Sequence, residues 1–398
     1  MEPSTHINRA LTLLTMVLAG ACAEPDPEQV TGLTATLEGG GLRLAWTNPD
    51  TPEFADVVIR RASLTAPTDP EVGGDLLFSG AGASHLDPCP AHDKVYGYAV
   101  FARDREGAYA EPATVEATCR FTPFTLAVLP DTQYLSLSYF TIFEYNARWI
   151  AEQRSKRNIL MTLHEGDITH NNTEAEWKNA VIALSKMDGD VPYVLGVGNH
   201  DMGQGSVGTT LFNKHFPLSK FNSLSTFGGS YPSGKLDNSF HLFDAGGMGW
   251  LVISLIYDPT DDVIKWAESV AMKYPSRRVV VVTHACLTPG GARDTMGERI
   301  WKGLVSKHPG MTMVFNGHYI GGVAARLVSD GDKGNKVYQM FANYQHAQVS
   351  GYGMFRLITL DRAASTISVT SYAPIKEWEL TDDANKFVFK DVALGAVK

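Results

Sequence analysis

The sequence predicts a small all-β unit followed by a larger α/β domain whose sheet strands are covered on both faces. Three observations carry this. Between residues 28 and about 120, short alternating runs are separated by Gly, Pro and Asp clusters: LRLAW (42–46), DVVIRR (56–61) and VYGYAVFARD (95–104). That spacing is the signature of a β-sandwich. From Phe124 onward, five strongly apolar runs recur: TLAVL (125–129), ILMTLH (159–164), VPYVLGV (191–197), RVVVVT (278–283) and MTMVF (311–315), with amphipathic patterns among them. Continuous apolar strands alternating with helices imply sheets buried on both sides. Finally, 398 residues at 44% hydrophobic and 19% charged allow two or three domains with real cores and exclude global disorder.

The chain opens on an apolar stretch, Ala10 to Gly20, behind Arg9. Its length suits the core of an export signal better than a membrane-spanning helix, and no later run is long enough to span a bilayer. Ala19-Gly20-Ala21-Cys22 resembles a bacterial lipobox, with Cys22 as the lipidated residue; cleavage after an Ala-x-Ala pattern fits the same stretch. Both readings put the protein outside the cytoplasm, as a lipoprotein on a bacterial membrane or cell surface, or secreted or periplasmic. The membrane would then be met only through a lipid on Cys22. Residues 1–22 are accordingly assigned to the signal.

Residues 23–120 are assigned to the sandwich. Leu44-Ala45-Trp46-Thr47-Asn48-Pro49, with Tyr96 and Tyr98 later, resembles a fibronectin type III domain, which implies that Trp46 and one of these tyrosines are core residues. Such a module suits a cell-surface glycan or protein partner. Cys89 and Cys119 lie in the same region and an exported chain permits disulfides, although spacing alone does not decide the pairing. Cys286 is expected to be a small buried residue.

In the α/β part, helices are expected over Phe143 to Asn158, from Thr173, over Asp261 to Tyr274, and over Glu298 to His308. The second begins with a capping box, Thr173 with Glu176, ahead of Trp177, Val181, Ile182 and Leu184. Residues 202–237, rich in Gly and Ser, read as a long loop. Its Phe212, Phe216, Phe221, Phe227 and Tyr231 either pack the loop or offer a stacking surface. Within it, Gly203 to Gly208 matches a dinucleotide glycine pattern, but no strand precedes it, so it reads as a loop.

Every apolar run ends in groups able to bind a metal. Asp131-Thr132-Gln133 follows the first, and Glu165-Gly166-Asp167-Ile168-Thr169-His170 the second. Gly198-Asn199-His200-Asp201 follows the third, His284 the fourth, and Asn316-Gly317-His318 the fifth. Sites in open α/β sheets form at the carboxyl ends of strands, so these groups converge on one crevice. Carboxylates, imidazoles and a carboxamide together suit divalent zinc, manganese or iron. The 43 acidic against 34 basic residues, net charge −9, leave no basic patch for nucleic acid.

The order Asp-x-Gln, Gly-Asp, Gly-Asn-His-Asp, His, Gly-His resembles the calcineurin-like metallophosphoesterase superfamily, and Leu129-Pro130-Asp131-Thr132-Gln133 a bacterial exported branch of it. The resemblance implies a four-layer α/β/β/α sandwich over residues 121–398 and two divalent metal ions. It places Asp131 and Gln133 at the first ion, Asp167 between the two, and Asn199, His284 and His318 at the second. His200 would assist the leaving group, oriented by Asp201. The implied activity is hydrolysis of a phosphate mono- or diester.

Two departures weaken the first site. Gln133 stands where the family commonly has His, and Ile320 stands where a second His would follow Gly317-His318. His170 lies three residues after Asp167, where the related purple acid phosphatases carry a metal-binding Tyr, and is the expected replacement ligand. Gln345, in Asn343-Tyr344-Gln345-His346, is a further candidate, and His164 a residue behind the site. The competing reading is a surface-binding protein with a degenerate, structural or inert metal site.

Overall fold

A computed structural model describes residues 27–38, 41–203, 208–395 and 397. The apolar stretch expected to be an export signal, Cys22 and the core of the 203–208 glycine run lie outside the described residues.

The N-terminal unit is a seven-stranded sandwich. Its strands are β1 (Thr31–Glu38), β2 (Gly41–Thr47), β3 (Phe54–Ser63), β4 (Asp75–Gly80), β5 (Ser84–Asp87), β6 (Lys94–Asp104) and β7 (Ala113–Cys119). Antiparallel sheets β1-β2-β5 and β4-β3-β6-β7 face each other. Between them lie Leu42, Leu44, Trp46, Val57, Ile59, Tyr98 and Val100. Trp46 and both Tyr96 and Tyr98 are buried, so these three aromatic residues serve the core of the unit. Tyr98 is satisfied by donating its hydroxyl to Asp87 Oδ2 at 2.6 Å, while Arg61 Nη1 donates to Asp87 Oδ1 at 2.6 Å. Such a paired buried charge is costly to break, by roughly 3–5 kcal/mol. Cys89 and Cys119 form a disulfide, and Cys286 is free and buried.

The C-terminal unit has two seven-stranded sheets. The first contains β8 (Phe124–Leu129), β9 (Ile159–His164), β10 (Tyr193–Leu195), β18 (Phe355–Asp361), β19 (Thr366–Ala373), β20 (Trp378–Leu380) and β21 (Lys386–Phe389). The second contains β11 (Phe227–Tyr231), β12 (Asn238–Ala245), β13 (Met248–Leu255), β14 (Arg278–Thr283), β15 (Met311–Asn316), β16 (Ala324–Asp330) and β17 (Lys336–Ala342). Helices α1 (Gln133–Leu137), α2 (Phe140–Arg157) and α3 (Glu174–Leu184) follow the first strands. The others are α4 (Thr210–His215), α5 (Leu218–Phe221), α6 (Asp261–Lys273) and α7 (Thr295–Ile300).

Alternation along the apolar strands explains the layers. On β8, Leu126 and Val128 join the core between the sheets, while Ala127 and Leu129 meet Phe143, Ala147 and Ile150 of α2. On β14, Val280 and Val282 face the first sheet, while Val279 and Val281 pack against Val263, Ile264 and Ala267 of α6. The result is the expected α/β/β/α sandwich. The capping box at Thr173 is present in full.

Two details differ from expectation. The helix expected over 298–308 is α7 followed by a π-helical turn, Trp301–Val305. A Cβ on Gly303 would lie 2.5 Å from Ile264 Cγ2, so that turn seats tightly on α6. The 202–237 segment holds α4, α5 and β11, and its Phe212 and Phe216 are buried against Trp177, and Phe221 against Tyr193. These phenylalanines are core residues and offer no stacking surface. Arg362 joins the two units: it donates to the carbonyls of Pro88 (2.9 Å), Cys89 (3.0 Å) and Gly247 (2.8 Å), with its guanidinium 3.7 Å from the centre of the Phe121 ring.

Candidate metal centre

Strands β8, β9 and β10 are mutually parallel, as are β13, β14, β15 and β17, so their carboxyl ends share one edge of each sheet. Asp131, Asp167 and Asn199 leave the first sheet there; His284, His318 and Asn343 leave the second. The crevice lies across the seam between the sheets.

Four donors converge on one point. His284 Nε2 lies 3.2 Å from Asp167 Oδ1, 3.1 Å from Asn199 Oδ1 and 3.1 Å from His318 Nδ1. His284 Nδ1 is 2.9 Å from the Glu165 carbonyl, which fixes its proton on that side and aims Nε2 into the cluster. Burial works against a charge on His284, but the Asp167 and Asp131 carboxylates outweigh it and favour the imidazolium. Burial first, and then His284, hold His318 down to about 4, so its Nδ1 presents a lone pair. Three acceptors thus surround one nitrogen, which places a proton where a cation would sit. The donor set fits a divalent zinc, iron or manganese ion.

The backbone is shaped to make this possible. Asp167 and His318 adopt left-handed φ values of 49° and 75°, where Asp and His are among the better-tolerated residues. A Cβ on Gly198 would stand 2.1 Å from Asp167 Oδ1, and one on Gly317 2.1 Å from Asp131 Oδ1. Only glycine lets the carboxylates lie against those turns. His164 Nδ1 accepts from Gly166 N at 3.1 Å, and its Nε2 meets Thr132 Oγ1 at 2.9 Å, joining the loops after β8 and β9. His164 therefore acts as a brace behind the site.

Other expected residues play different parts. The Asp201 carboxylate makes no hydrogen bond to the His200 ring. It accepts from Ile168 N, Thr169 N, Thr169 Oγ1 and Gly198 N at 2.8–3.0 Å, binding the loops after β9 and β10 together. His200 Nδ1 instead meets the His170 carbonyl at 2.6 Å. His170 does not join the donor cluster formed by Asp167, His284 and His318. Its ring lies 4.8 Å from that of Tyr134 and stacks 5.0 Å from that of His200, and its Nδ1 is buried without a hydrogen-bond partner. Ile320 is 62% exposed and contributes nothing to the site.

Around Asp131 the surroundings are amides. Asn343 Nδ2 donates to Asp131 Oδ2 at 2.9 Å and Gln345 Nε2 at 3.1 Å, while His318 N donates to Oδ1 at 3.0 Å. Gln133 Nε2 donates to Gln345 Oε1. Burial raises the Asp131 carboxyl to about 7, with His284 opposing. Asn343 was not singled out in the sequence, although it follows a strand just as the other five groups do. Tyr257, whose ring lies 5.2 Å from that of His318, carried no such signal.

Residues 124–320 match the family model for calcineurin-like phosphoesterases, and this part of the chain belongs to that family. An uncharacterized protein, YvnB of Bacillus subtilis (strain 168), is 31% identical over 274 residues, 67% of this chain. The matched stretch spans only 21% of that relative's length. Among solved structures, a purple acid phosphatase from yellow lupin (Lupinus luteus) seeds aligns with a TM-score of 0.44 at 11% identity, covering 91% of this chain and 74% of its own. The NAD nucleotidase of Haemophilus influenzae gives 0.38 at 12%, covering 66% and 54%.

Proposed function

We propose that this protein is an exported, metal-dependent hydrolase of phosphate mono- or diesters. The observation that carries the reading is the convergence of Asp167 Oδ1, Asn199 Oδ1, His284 Nε2 and His318 Nδ1 beside His200, in a domain of the phosphoesterase family. Divalent ions bound there would supply Lewis acidity to the phosphate oxygens and lower the pKa of an attacking water. The protein's own part is positional. His200, with Nδ1 engaged by the His170 carbonyl, keeps Nε2 available to hold a proton for the departing oxygen. Asp201 keeps the loop that carries Asn199 and His200 fixed against the loop that carries Asp167. The Cys89–Cys119 disulfide accords with an oxidising compartment outside the cytoplasm, where Cys22 would provide the anchor.

The test is elemental analysis of protein purified without chelator, followed by a phosphoester screen with zinc, manganese and iron. Bound metal with turnover of a mono- or diester is the expected result. Protein that holds no metal and turns over no ester overturns the reading, leaving the sandwich as a binding module.

A further inference from the structure

The amides around Asp131 have only one self-consistent polarity. As a ligand to a cation Asp131 is ionised and can only accept, so Asn343 and Gln345 must both turn their NH2 groups toward its Oδ2. Asn343 is held in that sense from its other end, because its Oδ1 accepts from Gln345 N at 3.1 Å. Gln345 is left presenting Oε1 to Gln133, which must answer with its own NH2. The polarity therefore ends on Gln133 Oε1, a buried carbonyl oxygen without a hydrogen-bond partner. Leaving such an acceptor unpaired costs about 1–3 kcal/mol.

Building on the metal-dependent reading above, we propose that the centre is chemically unequal. Its imidazole half, Asp167, Asn199, His284 and His318, takes one borderline ion such as zinc tightly. Its amide half, Asp131 and Gln133, takes a hard, oxygen-seeking cation such as magnesium or manganese, weakly and exchangeably. Gln345 and Asn343 are positioning residues that aim the Gln133 carbonyl. The amide half offers a neutral carbonyl and a carboxylate whose charge is already shared among three N–H donors, with no imidazole or thiolate. Oxygen-only donors of that kind favour magnesium and manganese over zinc.

Calorimetric titration of metal-stripped protein, paired with elemental analysis after gel filtration, tests this. We expect one zinc per chain to survive filtration, and a second event, about a hundredfold weaker, to appear with manganese or magnesium. Gln345→Leu should weaken only the second event, by about 10- to 100-fold. Gln133→His should convert the second event into tight zinc binding, so that two zinc ions survive filtration. Two zinc ions of similar affinity in the unaltered protein would overturn the inequality while leaving the phosphoesterase reading intact. So would an unchanged second event in Gln345→Leu, or a single zinc in folded Gln133→His. Absence of any bound metal would overturn both.

Discussion

The imidazole of His200 is held by the main chain of His170, not by a side chain: Nδ1 lies 2.6 Å from the carbonyl oxygen, and the two rings stack at 5.0 Å with planes 16° apart. A backbone acceptor is indifferent to the residue that supplies it, so the hydrogen bond and the stack can be separated by mutation. His170→Ala should preserve metal content and the orientation of His200, lowering kcat by less than about tenfold. Loss of metal in that variant, measured by elemental analysis, would make His170 a ligand after all.

His200→Ala removes the imidazole proposed to protonate the leaving oxygen. Hydrolysis of alkyl phosphoesters, whose leaving oxygen needs a proton, should fall by about 10²–10⁴-fold. Nitrophenyl esters should fall far less, because their leaving group departs as a stable anion. Steady-state kinetics on both classes decides the point, and equal losses would reject the acid role.

Gly198→Ala and Gly317→Ala place a methyl group 2.1 Å from Asp167 Oδ1 and from Asp131 Oδ1 respectively. Each carboxylate or its loop must move, at a cost of about 1–3 kcal/mol. Zinc retention should fall sharply in Gly198→Ala, whereas Gly317→Ala should chiefly affect the environment of Asp131. Melting temperature and metal content, measured together, separate strain from ligand loss.

His241 on β12 is fully buried, and neither ring nitrogen has a hydrogen-bond partner. Burial holds it down to about 3, against about 6.5 in an unfolded chain. As pH falls below about 6.5, the unfolded chain takes up a proton that the folded chain refuses. Stability is then lost by up to about 1.4 kcal/mol per pH unit, until the folded value is reached. His241→Leu should remove that slope and, at neutral pH, stabilise by about 1–3 kcal/mol by eliminating the unpaired nitrogens. Thermal melts between pH 4 and 8 read both effects.

Much of the site was legible because strand ends are legible. A run such as RVVVVT has to be buried on both faces, and His284 directly after it has to emerge at the sheet edge. The same logic located Asp131, Asp167, Asn199 and His318. What the sequence did not reveal was the partner of each group. The support for His200 is a carbonyl, which every residue possesses, so no side-chain pattern marks it. Asp201 next to His200 suggested an orienting carboxylate, yet buried backbone amides at Ile168, Thr169 and Gly198 claimed it first. The short helices within 202–237 were hidden because four- and six-residue helices are too brief to show a period; Phe212 and Phe216 acquire their meaning only against Trp177.

The donors of the centre are drawn evenly from the two sheets. Asp167 and Asn199 come from one, His284 and His318 from the other, and the link from Asp131 to Asn343 and Gln345 crosses the same seam. An ion seated there is a clasp as well as a reagent. It exists as a binding site only once both halves of the fold have closed on each other, a span of chain from Asp131 to Gln345. Affinity for metal is therefore affinity for the assembled state: free ion at about a hundred times its dissociation constant adds about 2.7 kcal/mol to stability. The supply of free metal would then govern how much of the chain stays folded as well as how fast it works.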